Sequence, residues 1–175
     1  MTELRAGIIG LGVGAKHIPG YNQYDGCKVT KICDFNEAKC EEIKSRYPEI
    51  HATTDANEIL TDPNIDVVSI ASYDDAHAQQ VLTAFENNKH VFVEKPLCMT
   101  EEELKKIQQA FAEKPHLHLS SNLILRTSPR FIDLKRRIQN GSMGDIYYME
   151  GDYEYGRIHK ILEGWRGQLE FYSVV

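Results

Sequence analysis

Short apolar runs rich in β-branched residues recur along the chain, and each is followed by a stretch of helical length. The runs are Ala6 to Ile9, Val29 to Cys33, Val67 to Ala71, His90 to Val93 and Leu117 to Ser121, with a shorter one near Ala52 and Thr53. Most are continuously apolar, as strands covered on both faces must be, and strands alternating with helices build βαβ units around a parallel sheet. The alternation predicts an α/β fold with a doubly wound parallel sheet.

The intervening segments carry readable helix signals. Thr100 with Glu103, and Asp55 with Glu58, fit the capping box, in which the first side chain accepts from the N3 amide and the acid reaches back. Leu104, Ile107 and Phe111 make one apolar stripe, and Ala78, Val81, Leu82 and Phe85 make another over Asp75 to Asn87. Pro19 lies inside the first predicted helix, where it removes a backbone donor, so a kink or early end is expected near His17.

A chain of 175 residues holds one good core and a remnant. The predicted division is 1–121 for the sheet domain and 122–175 for the beginning of a second, α+β domain. No stretch approaches the roughly 20 apolar residues of a membrane span, and Met1 to Arg5 lack the features of a secretory signal, so a cytoplasmic protein is expected. Cys27, Cys33, Cys40 and Cys98 show no metal or disulfide spacing and read as free thiols. A net charge of −6 argues against a nucleic-acid partner, and the basic run Lys135-Arg136-Arg137 reads as a solvated helix face.

The chemistry begins where the first strand ends. Gly10-Leu11-Gly12-Val13-Gly14-Ala15 fits G-x-G-x-x-A between a predicted strand and a predicted helix. Gly10 permits the tight turn, Gly12 lets the backbone approach a pyrophosphate, and small Ala15 allows close packing of helix on strand. The unpaired amides at the helix start, including those of Val13 and Gly14, would meet the phosphates. Asp34 lies 24 positions after Gly10 at the end of the second strand, with Phe35 beside it. Its carboxylate can accept from ribose hydroxyls and repels a 2′-phosphate, which favours NAD over NADP. The alternative reading of Asp34 is a helix cap, and Lys31 and Lys39 are close enough to offer a phosphate a counter-charge. Glu94-Lys95-Pro96 closes another strand, at the end where ligands bind in such Rossmann-type sheets. A plain surface ion pair is the competing account of Glu94 and Lys95.

With Gly10-Leu11-Gly12, Asp34, Ile65-Asp66-Val67-Val68, His77 and the run Lys89 to Leu97 in place, the chain resembles the Gfo/Idh/MocA family, the glucose-fructose oxidoreductase and inositol dehydrogenase group. The resemblance implies that Lys95 lies beside the nicotinamide and the substrate hydroxyl. It also implies that Ala71-Ser72-Tyr73 and nearby His77 border the cofactor, together with Glu94 and Pro96. Downstream, Asn122, Arg126, Pro129, Gly141 and Gly144 resemble the start of the family's second domain. A strand from Ile146 to Tyr155 is expected there, and Gly164-Trp165-Arg166 resembles a segment close to cofactor and substrate. Ala15 replaces a third glycine, and Ser72-Tyr73-Asp74 stands where many members have a Pro-Asn turn. The aspartate and histidine that members carry on a later helix have no counterpart in this sequence, which reads as part of a longer protein.

The expected function is therefore that of an NAD-dependent oxidoreductase acting on a secondary alcohol or ketone of a sugar, cyclitol or sugar nucleotide. Lys95 would be catalytic, and Lys95, Arg126, Tyr155 and Arg157, with Asn122 and His159, are candidate substrate contacts. No metal is called for, and a homo-oligomer is expected, because a lone strand from Ile146 would recruit a second copy. A non-catalytic sensor of NAD or sugar is the alternative, and it has no need of Lys95.

Overall fold

The structure, a computed structural model, describes residues 3–154, 156 and 159–163. In chain order the first part contains β1 (Leu4–Ile9), a 3₁₀ turn (Gly14–Lys16), α1 (Ile18–Asn22), β2 (Cys27–Cys33), α2 (Glu37–Arg46), β3 (His51–Thr53) and α3 (Asn57–Leu60). There follow β4 (Val67–Ile70), a 3₁₀ turn (Asp74–Ala76), α4 (His77–Glu86), β5 (His90–Val93), α5 (Glu101–Ala112) and β6 (Leu119–Ser121). The strands form one parallel sheet in the order β3-β2-β1-β4-β5-β6. This is the doubly wound Rossmann order, with its switch point between β1 and β4.

The sheet is covered on both faces. Adjacent residues Ile8 and Ile9 enter different apolar clusters, one with Ile18, Val29, Cys40 and Ile43, the other with Ile70, Val81, Phe85, Val91 and Ile107. Helix α4 buries Ala78, Val81 and Phe85 as its spacing predicts. Helix α5 opens on the full Thr100–Glu103 capping box. It packs through Ile107 and through Phe111, whose ring stacks 5.7 Å from Phe85, while Leu104 one turn earlier is exposed. Pro19 ends the helical path as expected: the 3₁₀ turn stops before His17, and Pro19 falls in the first turn of the short α1. Cys27 and Cys33 of β2 and Cys40 of α2 are buried free thiols, and Cys98 is a free thiol partly exposed.

Two local expectations fail. Helix α3 begins at Asn57, so Asp55 and Glu58 form no capping box. Instead the Asp55 carboxylate accepts from the Asn57 amide at 2.9 Å, and Glu58 accepts from the Thr53 hydroxyl at 2.8 Å. Residues 146–154 form no strand, and Tyr155 lies outside the described residues. A strand exists only through a hydrogen-bonded neighbour, and none of the described residues pairs with this segment.

The described residues from Leu123 onward form a separate compact unit, while Asn122 belongs to the first. The second unit contains a 3₁₀ turn (Ile124–Thr127), α6 (Pro129–Gln139) and α7 (His159–Leu162). Lys135, Arg136 and Arg137 are exposed on α6, and Arg136 donates to Asp133 at 2.6 Å. No helix among the described residues is long and apolar enough to cross a membrane.

Candidate cofactor and active site

Strand register assembles the site. Ile9 pairs with Cys33 and Ile70, Ile70 with Val93, and Val93 with Ser121. The next residue on each strand, Asp34, Gly10, Ala71, Glu94 and Asn122, therefore stands in one row across the carboxyl ends of the sheet. Backbone bonds continue the ladder into that row: Gly10 donates to Cys33, Ala71 to Ile9, Glu94 to Ile70 and Asn122 to Val93, each at 2.7–2.8 Å. Parallel strands of an α/β sheet place ligands outside this edge.

Gly10 has φ +87°, and a Cβ there would lie 2.2 Å from the Ala71 carbonyl oxygen, so no other residue fits between β1 and β4. At Gly12 a Cβ would meet nothing within 4 Å, leaving the turn open for a ligand's close approach. Among the described residues no acceptor takes the amides of Gly12 or Val13. That donor set fits a pyrophosphate. The close-packing position is Gly14 rather than Ala15: a Cβ on Gly14 would come 2.8 Å from Ile8 Cγ2, whereas Ala15 is half-buried at the edge of the core. The expected helix N-terminus is reduced to one 3₁₀ turn, because Pro19 breaks the segment, so the turn's own amides are the donors.

Asp34 is buried. One carboxylate oxygen accepts from the Leu11 amide at 2.8 Å and the other from the Asn36 amide at 2.9 Å, so this side chain ties the glycine turn to the end of β2. The cap of α2 is Asn36, which accepts from the Ala38 amide, and not Asp34. Lys39 reaches Asp34 at 3.5 Å and lies over the Phe35 ring, whereas Lys31 is committed to Asp62 at 2.7 Å. Phe35 is 70% exposed and its ring centroid lies 5.7 Å from that of Tyr73, so two aromatic rings from the β2 and β4 turns meet at the row's edge. Ser72 donates to Gln80 at 2.7 Å, which holds the β4 turn to α4.

Around Glu94-Lys95-Pro96 the polar groups form a network. Glu94 accepts from the Asn122 amide nitrogen at 2.7 Å and faces His17 Nε2 at 3.2 Å. His17 Nδ1 lies 2.9 Å from the Ser69 hydroxyl, and its ring meets Phe92 edge-on at 5.4 Å. Burial pushes the Glu94 carboxyl up, but the hydrogen bonds from His17 and Asn122 outweigh it and hold the group below the usual glutamate value. Burial raises the Tyr21 phenol to about 12 despite its bond with Ser69. His77 is buried, with Nδ1 2.6 Å from the Pro96 carbonyl and Nε2 3.2 Å from the Ser72 carbonyl. The Lys95–Pro96 peptide is cis. Lys95 is exposed.

Sequence patterns single out Gly10, Asp34, Ala71, Glu94 and Asn122, which share the row, and Gly12 in the turn beside it, but not His17 and Ser69, which join the network around Glu94. The available signal was a histidine on the sheet-facing stretch just after the glycine turn. Lys89, which the sequence marks only as part of the run to Leu97, is buried and donates to the carbonyls of Asp62 and, at 2.9 Å, of Ile65. Burial pulls its pKa down. Arg126 and His159 are exposed residues of the second unit. Tyr155, Arg157, Trp165 and Arg166 lie outside the described residues.

Residues 4–122 match the profile of the GFO_IDH_MocA family, described as an oxidoreductase family with an NAD-binding Rossmann fold. The chain belongs to this family. It is 31% identical over 146 residues to inositol 2-dehydrogenase of Mycolicibacterium smegmatis, a match covering 82% of this chain and 42% of the relative. It is 30% identical over 142 residues to myo-inositol 2-dehydrogenase of Thermotoga maritima, covering 81% and 42%. A crystal structure of scyllo-inositol dehydrogenase from Lactobacillus casei with bound NAD(H) and scyllo-inositol superposes with a TM-score of 0.77 at 26% identity, over 83% of this chain and 43% of that one. The chain thus spans less than half the length of the curated relatives it matches. The Gfo/Idh/MocA fold and the NAD cofactor expected from the sequence both stand.

Proposed function

We propose that this chain is the cofactor half of an NAD-dependent oxidoreductase that moves hydride between the nicotinamide and a secondary alcohol or ketone of a cyclitol or sugar. The observation that carries the proposal is the row of strand-end residues, which sets an open glycine turn, a buried aspartate and an exposed amine, Lys95, along one edge of the sheet. NAD, when bound, supplies the hydride acceptor. The amides of Gly12 and Val13 hold its phosphates, while the Gly14 amide, expected to be free, donates to the Gly10 carbonyl at 3.1 Å and closes the turn; Asp34 accepts from the adenosine ribose and disfavours a 2′-phosphate. Phe35 and Tyr73 flank the adenosine, while Ala71, Ser72, His77, Glu94, Pro96 and Asn122 shape the nicotinamide end.

Lys95 holds the alcohol oxygen and takes its proton as hydride leaves the carbon. Arg126, Tyr155, Arg157, Trp165 and Arg166 contribute to the substrate side in that reading. The names of the relatives favour a cyclitol over a sugar nucleotide, and the free thiols fit the reducing cytoplasm. In the full-length protein, Lys95→Ala should lower kcat on myo- or scyllo-inositol by roughly 10²- to 10⁴-fold while leaving NAD affinity near that of the wild type. An unaltered kcat removes Lys95 from the chemistry and favours a sensor. Calorimetry with NAD and NADP tests Asp34, whose assignment fails if NADP binds more tightly.

A further inference from the structure

Lys95 makes no side-chain hydrogen bond or ion pair among the described residues, so its position comes from its two neighbours in the chain. Each neighbour is clasped by a histidine. On one side, the Glu94 carboxylate faces His17 Nε2 at 3.2 Å, and His17 ends the segment that begins with the glycine turn. On the other, the Pro96 carbonyl faces His77 Nδ1 at 2.6 Å, and the same ring faces the Ser72 carbonyl of the β4 turn at 3.2 Å. An ionised carboxylate only accepts, so His17 Nε2 carries hydrogen, which leaves Nδ1 for the Ser69 hydroxyl. A carbonyl likewise only accepts, and the shorter contact sets the His77 N–H toward Pro96.

We propose that His17 and His77 are positioning residues that link the two cofactor-lining turns to Lys95, so that occupancy of the glycine turn sets the placement of the amine. The proposal rests on the roles given above to that turn and to Lys95. Its physical basis is the cost of the arrangement. Buried histidine, serine, glutamate and asparagine stabilise no better than apolar packing of the same volume, but their directional bonds hold one geometry. The His17–Glu94 and His77–Pro96 bonds each run from the segment that directly follows a cofactor turn to a residue adjacent to Lys95.

The test uses the full-length protein and ADP, which fills the adenosine and diphosphate positions and has no nicotinamide with which to touch Lys95. The readout is the rate of Lys95 acetylation by acetic anhydride, followed by peptide mass spectrometry, with ADP binding measured by calorimetry. In the wild type, saturating ADP should change the Lys95 rate by about fivefold, the lower range of coupling between sites. His17→Gln, whose amide reaches the place of Nε2, should keep the response. His17→Asn, equally polar but ending near the place of Nδ1, should lose it while melting cooperatively. His77→Asn, whose amide ends near the place of the Nδ1 that meets Pro96, should likewise keep the response and His77→Leu lose it; should the Leu variant not fold, the His17 pair decides. The proposal is overturned if ADP binds but leaves Lys95 labelling unchanged in the wild type, or if His17→Asn responds as the wild type does. Failure of ADP to bind the wild type overturns the cofactor assignment and this coupling with it. Full activity of Lys95→Ala overturns only the catalytic role.

Discussion

Helices α4 and α6 are both amphipathic, yet they have opposite fates. In α4, Ala78, Val81, Ala84 and Phe85 are buried against the sheet. In α6, Phe131 is 42% and Ile132 52% exposed, and no described residue from Leu123 onward is buried. Ile146, Tyr147, Tyr148 and Met149 are exposed as well. The contrast shows that an apolar stripe is an offer of burial, realised only when another element presents a matching face. The first unit supplies that face itself through six paired strands. Its stability, and the rigidity of the strand-end row, are therefore properties of residues 3–122.

The contrast is sharpest at buried aromatic rings. Phe85→Ala should cost about 3–5 kcal/mol in denaturant unfolding, since it empties the centre of a packed cluster. Phe131→Ala should stay within about 0.5 kcal/mol. Should Phe131→Ala cost as much as Phe85→Ala, the α6 face is covered in the protein and the two regions are equivalent after all.

A smaller difference is expected between two glycines with positive φ. Gly10→Ala combines backbone strain with a clash against the Ala71 carbonyl and should cost about 3 kcal/mol. Gly141 has φ +73° but open space around it, so Gly141→Ala should cost only about 1 kcal/mol, by thermal melting. Equal costs would mean that the Gly10 turn rearranges freely, which contradicts a preformed phosphate cradle.

The smallest effect concerns acid. Glu94 is held below its ordinary value of 4.5, so its bonds stabilise the fold above that value and the contribution is lost as pH falls through the depressed one. Melting temperature followed from neutral pH downward should fall less steeply in Glu94→Gln than in the wild type. Asp133→Asn, which removes an exposed pair on α6, should leave the profile unchanged. A profile insensitive to Glu94 would show that the His17–Glu94 contact carries no charge-dependent stability.

The glycine turn, Asp34 and the Glu94-Lys95-Pro96 corner were legible because each sits at a strand end, where a local pattern of apolar run and turn residue marks the position. Local patterns misled where a competing partner stood outside the window. Thr53 diverted Glu58 from its cap, and Asn36 took the capping role considered for Asp34. For Ile146 to Tyr155, strand propensity was read without a neighbour to pair with.

Element order and class followed from the sequence alone, because periodicity and turn chemistry act over a few residues and name helices and strands directly. The sequence likewise singled out a glycine turn after the first strand and a lysine at a strand end. Only the tertiary structure decided that Gly14 is the close-packing glycine, that Asp34 bonds the Leu11 amide, and that His17 meets both Ser69 and Glu94. These partners lie far apart in the chain, and no window contains them. They meet because parallel strands joined by crossovers bring every strand to the same edge, and the register there determines which side chains share it.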